Sequence, residues 1–98
     1  MRLTQSQREV ILNTGKQHFG EGCEIWLFGS RVDDSRKGGD IDLMVFPPKN
    51  GKMSYQEKLA FRSQLKHRLG DRKIDVLIAR ADKSRESTLE SLGQFAKL

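Results

Sequence analysis

The chain has 98 residues, enough for one small core but too few for a second ligand-binding lobe. Lys and Arg number 18 against 13 Asp and Glu, and the formal net charge of +5 favours polyanionic partners: nucleotides, nucleic acid or an acidic protein face. A lone cysteine, Cys23, excludes a disulfide or a thiolate metal cluster within these residues, and no apolar run is long enough to span a membrane.

Hydrophobic residues make up 36% of the chain, and they gather in apolar-rich segments, which argues for a globular fold over disorder. The opening Met1-Arg-Leu-Thr-Gln-Ser-Gln does not read as a signal peptide, so a cytoplasmic location is expected. Thr4 and Gln7 stand at capping-box spacing and predict a helix over 5–19. Val10, Ile11, Thr14 and His18 mark its weakly apolar face, and Gly20 and Gly22 end it. His18 reads as a helix-end or interface histidine.

A strand is expected over 24–28. Ile25-Trp-Leu-Phe is continuously apolar, as in a strand covered on both faces, so Trp26 reads as core and Cys23 as an inert small residue. Gly29-Ser30 breaks this strand. Ser30 is placed to cap a short helix through Arg31, Val32, Asp33 and Asp34, followed by a turn at Ser35-Arg36-Lys37-Gly38-Gly39.

The second strand is expected over 40–46 and ends at Pro47-Pro48. Ser54 and Glu57 form a second capping box, opening a helix that runs to Leu69 with Gly70 as its cap. Tyr55, Leu59, Phe61, Leu65 and Leu69 are expected to supply its apolar side, with Lys58, Arg62, Lys66 and Arg68 on a solvated face. A third strand over 73–79 alternates Ile74, Val76 and Ile78 against Asp75 and Leu77, and a last helix is expected over 84–97. The fold class expected is α+β, a small mixed β-sheet packed against α-helices, with residues 1–98 as one domain.

The chemistry concentrates between residues 25 and 46. Alternate strand residues share a face, so Asp40 and Asp42 project together while Ile41, Leu43 and Val45 point the other way. Two carboxylates on one face repel, and a divalent cation with oxygen ligands relieves this. The Gly29-Ser30 corner offers close backbone approach and a hydroxyl, which suit a phosphate. Asp75 is a third acid similarly placed near a strand start. Together they read as a metal–triphosphate site suited to two-metal nucleotidyl transfer.

These residues resemble the polymerase-beta-like nucleotidyltransferase superfamily. Gly29-Ser30 is followed by nine residues, then Asp40-Ile-Asp42-Leu, and later by Asp75 in Lys-Ile-Asp-Val-Leu-Ile. The short chain is similar to the minimal nucleotidyltransferases (MNT) of prokaryotes. The chain departs from the family's pattern at Val32, Asp33 and Asp34, where a small residue, a basic residue and glycine are usual, and at Gly39, often a serine.

The resemblance implies a nucleotidyltransferase-like fold and catalysis at Asp40, Asp42 and Asp75, which would hold Mg2+ or Mn2+. It implies triphosphate contact at Gly29, Ser30 and Arg31. It further implies an antitoxin that transfers AMP from ATP to a hydroxyl of a helical HEPN-type toxin partner. Two alternatives stand beside this reading. One is a catalytically silent antitoxin that inhibits by docking, and the other is a nucleic-acid-modifying enzyme supported by the basic surplus.

Overall fold

A computed structural model describes residues 3–29, 41–48, 54–70, 73–79, 84–93 and 95–98. The described elements are α1 (Gln5–Phe19), β1 (Glu24–Phe28), β2 (Ile41–Phe46), α2 (Tyr55–Leu69), β3 (Ile74–Ile78), α3 (Arg85–Ser91) and β4 (Phe95–Lys97). The sheet order is β3-β2-β1-β4. β1 pairs antiparallel with β2 and with β4, whereas β2 and β3 run parallel. The fold is the expected α+β arrangement with a mixed sheet.

Both long helices start where the caps predict. Gln7 N donates to Thr4 Oγ1 at 3.1 Å and Thr4 N donates to Gln7 Oε1 at 2.9 Å, a complete capping box. At α2, Glu57 N donates to Ser54 Oγ at 3.0 Å. The Glu57 carboxylate is turned toward α1 instead, with Oε2 3.3 Å from His18 Nδ1. His18 thus sits at the α1–α2 interface, its ring edge-on to Phe61.

One face of the sheet is the core. Ile25 and Leu27 of β1, Ile41, Leu43 and Val45 of β2, and Ile74 and Val76 of β3 pack against Ile11 and Phe19 of α1 and Phe61 and Leu65 of α2. Phe19 and Phe61 meet edge to face at 5.0 Å between centroids. Two polar groups tie the helices in. Arg68 donates to the buried Thr14 hydroxyl at 2.9 Å, and that hydroxyl donates to Val10 O at 2.6 Å. Arg62 Nε donates to Ile74 O at 2.7 Å and links α2 to β3. Neither arginine belongs wholly to the solvated face expected of it. The buried hydroxyl and the strand carbonyl each need a donor, and the long side chains reach them.

Three further expectations differ from the structure. The last helix ends at Ser91, not Lys97. Leu92 caps it, Gly93 turns with φ +79°, and residues 95–97 add to the edge of β1. An unpaired edge of β1 is satisfied this way, and Leu98 N donates to Ile25 O at 3.0 Å while its side chain enters the core. β1 is buried on one face only: Ile25 and Leu27 are buried, but Trp26 and Phe28 are half-buried. Trp26 lies edge-on to Phe95, and Arg85 sits over the Phe46 ring, so this second face is covered in part, with Met44 buried there. Finally, Tyr55 and Leu59 are exposed and do not join Phe61 and Leu65 in the core.

Cys23 is half-buried, and burial pushes its thiol up, only partly offset by the nearby Lys16 charge. This agrees with an inert side chain. No described helix is long and apolar enough to cross a membrane.

Gly15 marks a close approach of α1 to β1. A Cβ there would lie 2.5 Å from Ile25 Cδ1. Overpacking of this kind costs about 1–3 kcal/mol, whereas replacing a helical glycine with alanine gains about 1 kcal/mol. Gly15→Ala is therefore expected to lower the urea midpoint. Adding Ile25→Val, which deletes that Cδ1, should recover most of the loss; a Gly15→Ala protein stabilised by the full helix-propensity gain of about 1 kcal/mol would contradict the close packing.

Candidate active site

The open face of the sheet carries the acids. β2 places Ile41, Leu43 and Val45 in the core, so Asp42 projects to the opposite face with Met44 and Phe46. β3 does the same with Asp75 and Leu77. The parallel register aligns Asp42 with Asp75, and the antiparallel register aligns Phe28 with Asp42 and Phe95 with Phe28. One row thus crosses the sheet as Asp75, Asp42, Phe28, Phe95. Neighbouring strands lie about 4.8 Å apart, so two half-buried carboxylates stand side by side.

Gly29 lies against Asp42. It follows Phe28 directly, at φ +80°, and a Cβ at this position would lie 2.6 Å from Asp42 Oδ2. The chain therefore leaves β1 with its backbone against the Asp42 carboxylate. Only glycine allows both the left-handed turn and this approach.

A cleft of about 470 Å³ runs from the acid pair across edge strand β3 to α2. Its lining comprises Phe28, Asp42, Asp75, Val76 and Leu77 from the strands and Tyr55, Lys58, Leu59 and Arg62 from α2. Two cationic side chains thus border a cleft that holds two carboxylates at one end.

Of the expected site residues, Gly29, Asp42 and Asp75 are brought together. Ser30, Arg31 and Asp40 lie outside the described residues, as does the short helix expected at 31–34. Among the described residues, no three His, Cys, Asp or Glu side chains gather to hold a metal ion. The wall of the cleft was missed in reading the sequence. Its signal is the spacing 55, 58, 59 and 62, one stripe of a helix, which the apolar Tyr55 and Leu59 disguise as core.

The model of the polymerase beta nucleotidyltransferase family matches residues 11–91, spanning α1 to α3. The chain belongs to this family. No curated protein sequence matches this family member significantly. Several solved structures share its fold, three of which follow. One is a tri-AMPylated Shewanella oneidensis HEPN toxin in complex with MNT antitoxin: 18% identity, TM-score 0.69, covering 97% of this chain and 71% of that one. Another is a toxin–antitoxin with AMP-PNP, at 19% identity and TM-score 0.66, covering 97% and 72%. A third is a mutant of the toxin–antitoxin MntA-HpeT, at 20% identity and TM-score 0.63, covering 98% and 71%. Likeness at these identities establishes the nucleotidyltransferase architecture.

The contact between Gly29 and Asp42 can be separated from backbone strain. Gly93 has nearly the same φ, +79°, but a Cβ there meets nothing within 4 Å. Gly93→Ala should cost the backbone penalty alone, about 1–2 kcal/mol. Gly29→Ala should cost more in urea unfolding, because its Cβ also displaces the Asp42 carboxylate. Equal losses in the two variants would mean that Gly29 and Asp42 are not in close approach.

Proposed function

We propose that this protein is a magnesium-dependent nucleotidyltransferase that moves AMP from ATP onto a hydroxyl of a HEPN-type partner protein and acts as its antitoxin in the cytoplasm. The observation that carries this reading is the register that sets Asp42 beside Asp75 on the open face of the sheet. Family membership supports the chemistry. The neighbouring folds, one of them in complex with an AMPylated HEPN toxin, support the choice of nucleotide and partner.

The donor set fits a hard divalent cation. Adjacent carboxylates on one face repel, and their oxygens are the ligands magnesium prefers. Asp40, Asp42 and Asp75 would hold magnesium or manganese, which when bound neutralises triphosphate charge and lowers the pKa of the acceptor hydroxyl.

The chain's own residues orient the reaction. The Gly29 backbone and the Ser30 hydroxyl hold the distal phosphates, and Arg31 offsets the charge that grows on the departing pyrophosphate. Asp42 serves the triphosphate end, and Asp40 is assigned the same role. Asp75, on the edge strand, faces the acceptor and helps to take up its hydroxyl proton. The acceptor oxygen forms its bond to the α-phosphorus as the bond to pyrophosphate breaks. Phe28, next to Asp42 in the row, gives the nucleotide end of the site an apolar floor.

Asp42→Asn should abolish magnesium-dependent ATP binding in calorimetry. Asp75→Asn should keep much of that binding but lose AMP transfer by roughly a hundredfold or more. The assay is label transfer from ATP to a co-expressed helical partner, with pull-down in parallel. If Asp75→Asn neutralises the partner as fully as wild type and neither protein transfers label, the protein acts by docking and the enzymatic reading is wrong. Label on an RNA end would keep the chemistry and replace the acceptor.

A further inference from the structure

Among the described residues, the exposed large apolar side chains are Tyr55, Leu59 and Leu77, at 70%, 42% and 43% exposure. All three line the same cleft, the one that contains Asp75. Scattered apolar residues on a surface need no explanation, but their convergence beside a candidate reaction centre does. The cleft wall also carries Lys58 and Arg62.

The pattern on α2 is specific. Residues 55, 58, 59 and 62 stand at i, i+3, i+4 and i+7, one stripe of the helix. The core-facing stripe is a different one, through Phe61 and Leu65. Among the described residues, α2 therefore has two apolar-bearing stripes, and the one through Phe61 and Leu65 is the buried one. Arg62 donates to Ile74 O, which ties the second stripe to the edge strand.

We infer that the groove formed by Tyr55, Lys58, Leu59, Arg62 and Leu77 is the docking surface for the acceptor protein, and that it takes an amphipathic helix bearing carboxylates. This rests on the reading of Asp75 as the acid facing the acceptor. A helical stripe of apolar anchors suits another helix laid in the groove. Lys58 and Arg62, on the α2 wall of the groove, complement acidic side chains flanking that helix. A nucleic-acid strand is the poorer match, because two of the three apolar groups, Leu59 and Leu77, present no aromatic face for a base. The groove leads to Asp75, so a helix seated there delivers its hydroxyl to the site.

The test uses the full chain and two designed amphipathic helical peptides with identical leucine faces, one flanked by glutamate and one by lysine. Fluorescence anisotropy should show the acidic helix binding wild type at least about tenfold tighter than the basic one. Leu59→Glu should weaken the acidic helix by about tenfold or more, and Lys58→Glu should shift preference toward the basic helix. Overturning results are absence of binding by the acidic peptide, equal binding of both, or unchanged preference in Lys58→Glu. Displacement of the acidic peptide by a single-stranded oligonucleotide that itself binds tighter, and loses affinity with Leu59→Glu, would assign the groove to nucleic acid and overturn the inference too. Magnesium–ATP affinity of Asp42→Asn is measured alongside. If that affinity equals wild type, the nucleotidyltransferase reading fails by itself, whatever the peptides do.

Discussion

The structure depends on the pairing of β2 with β3. Parallel register sets Ile41 beside Ile74 and Leu43 beside Val76 on the core face, which leaves Asp42 beside Asp75 on the open one. Side chains alternate along a strand, so a slip of β3 by one residue would drive Asp75 beneath α2 and turn Ile74 and Val76 out of the core. Burial of an unpaired carboxylate is far more costly than the loss of one apolar contact. The hydrophobic core and the acid pair are thus one constraint seen from two sides: packing of the isoleucines specifies the register, and the register assembles the site.

The rest of the fold serves that pairing. α2 crosses from β2 to β3 and buries Phe61 and Leu65 over both strands, and Arg62 fastens it to the Ile74 carbonyl. α1 covers β1, with Gly15 allowing close contact to Ile25. The returning strand β4 completes β1 and brings Phe95 to Trp26 and Phe28. The result is asymmetric, with a dry face under two helices and an open face bearing acids and aromatics. The second face leaves both carboxylates half-buried, which costs less than enclosing them in the core. Gly29 completes the open face by bringing the backbone onto Asp42 at the end of β1.

The candidate site was legible because its signals are short-range. Alternation within Asp40–Phe46 and Lys73–Ala79 separates the acids from the apolar residues in any strand, and glycine before serine marks a corner. Capping spacings placed the starts of α1 and α2 at Gln5 and Tyr55, and the structure agrees. The wall of the cleft was not legible. Tyr55 and Leu59 look like core when α2 is read alone, since periodicity identifies an apolar stripe but not what covers it. Arg62 and Arg68 look solvated for the same reason; their acceptors, Ile74 O and Thr14, lie on other elements.

What the sequence by itself determined is local. It set where helices begin, which strand residues share a face, and which residue types stand at the acid and glycine positions, because these follow from backbone period and side-chain reach. What tertiary structure decided is which faces meet. Leu92, Phe95 and Ala96 carry a helical spacing, yet residues 95–97 form a strand because the edge of β1 offers hydrogen bonds and Trp26 offers an aromatic partner. Asp42 and Asp75, 33 positions apart in the chain, become neighbours only through the β2–β3 register. No local pattern encodes that distance; it arises from the one strand arrangement that buries the isoleucines and valines of both strands under α2 while keeping their carboxylates out.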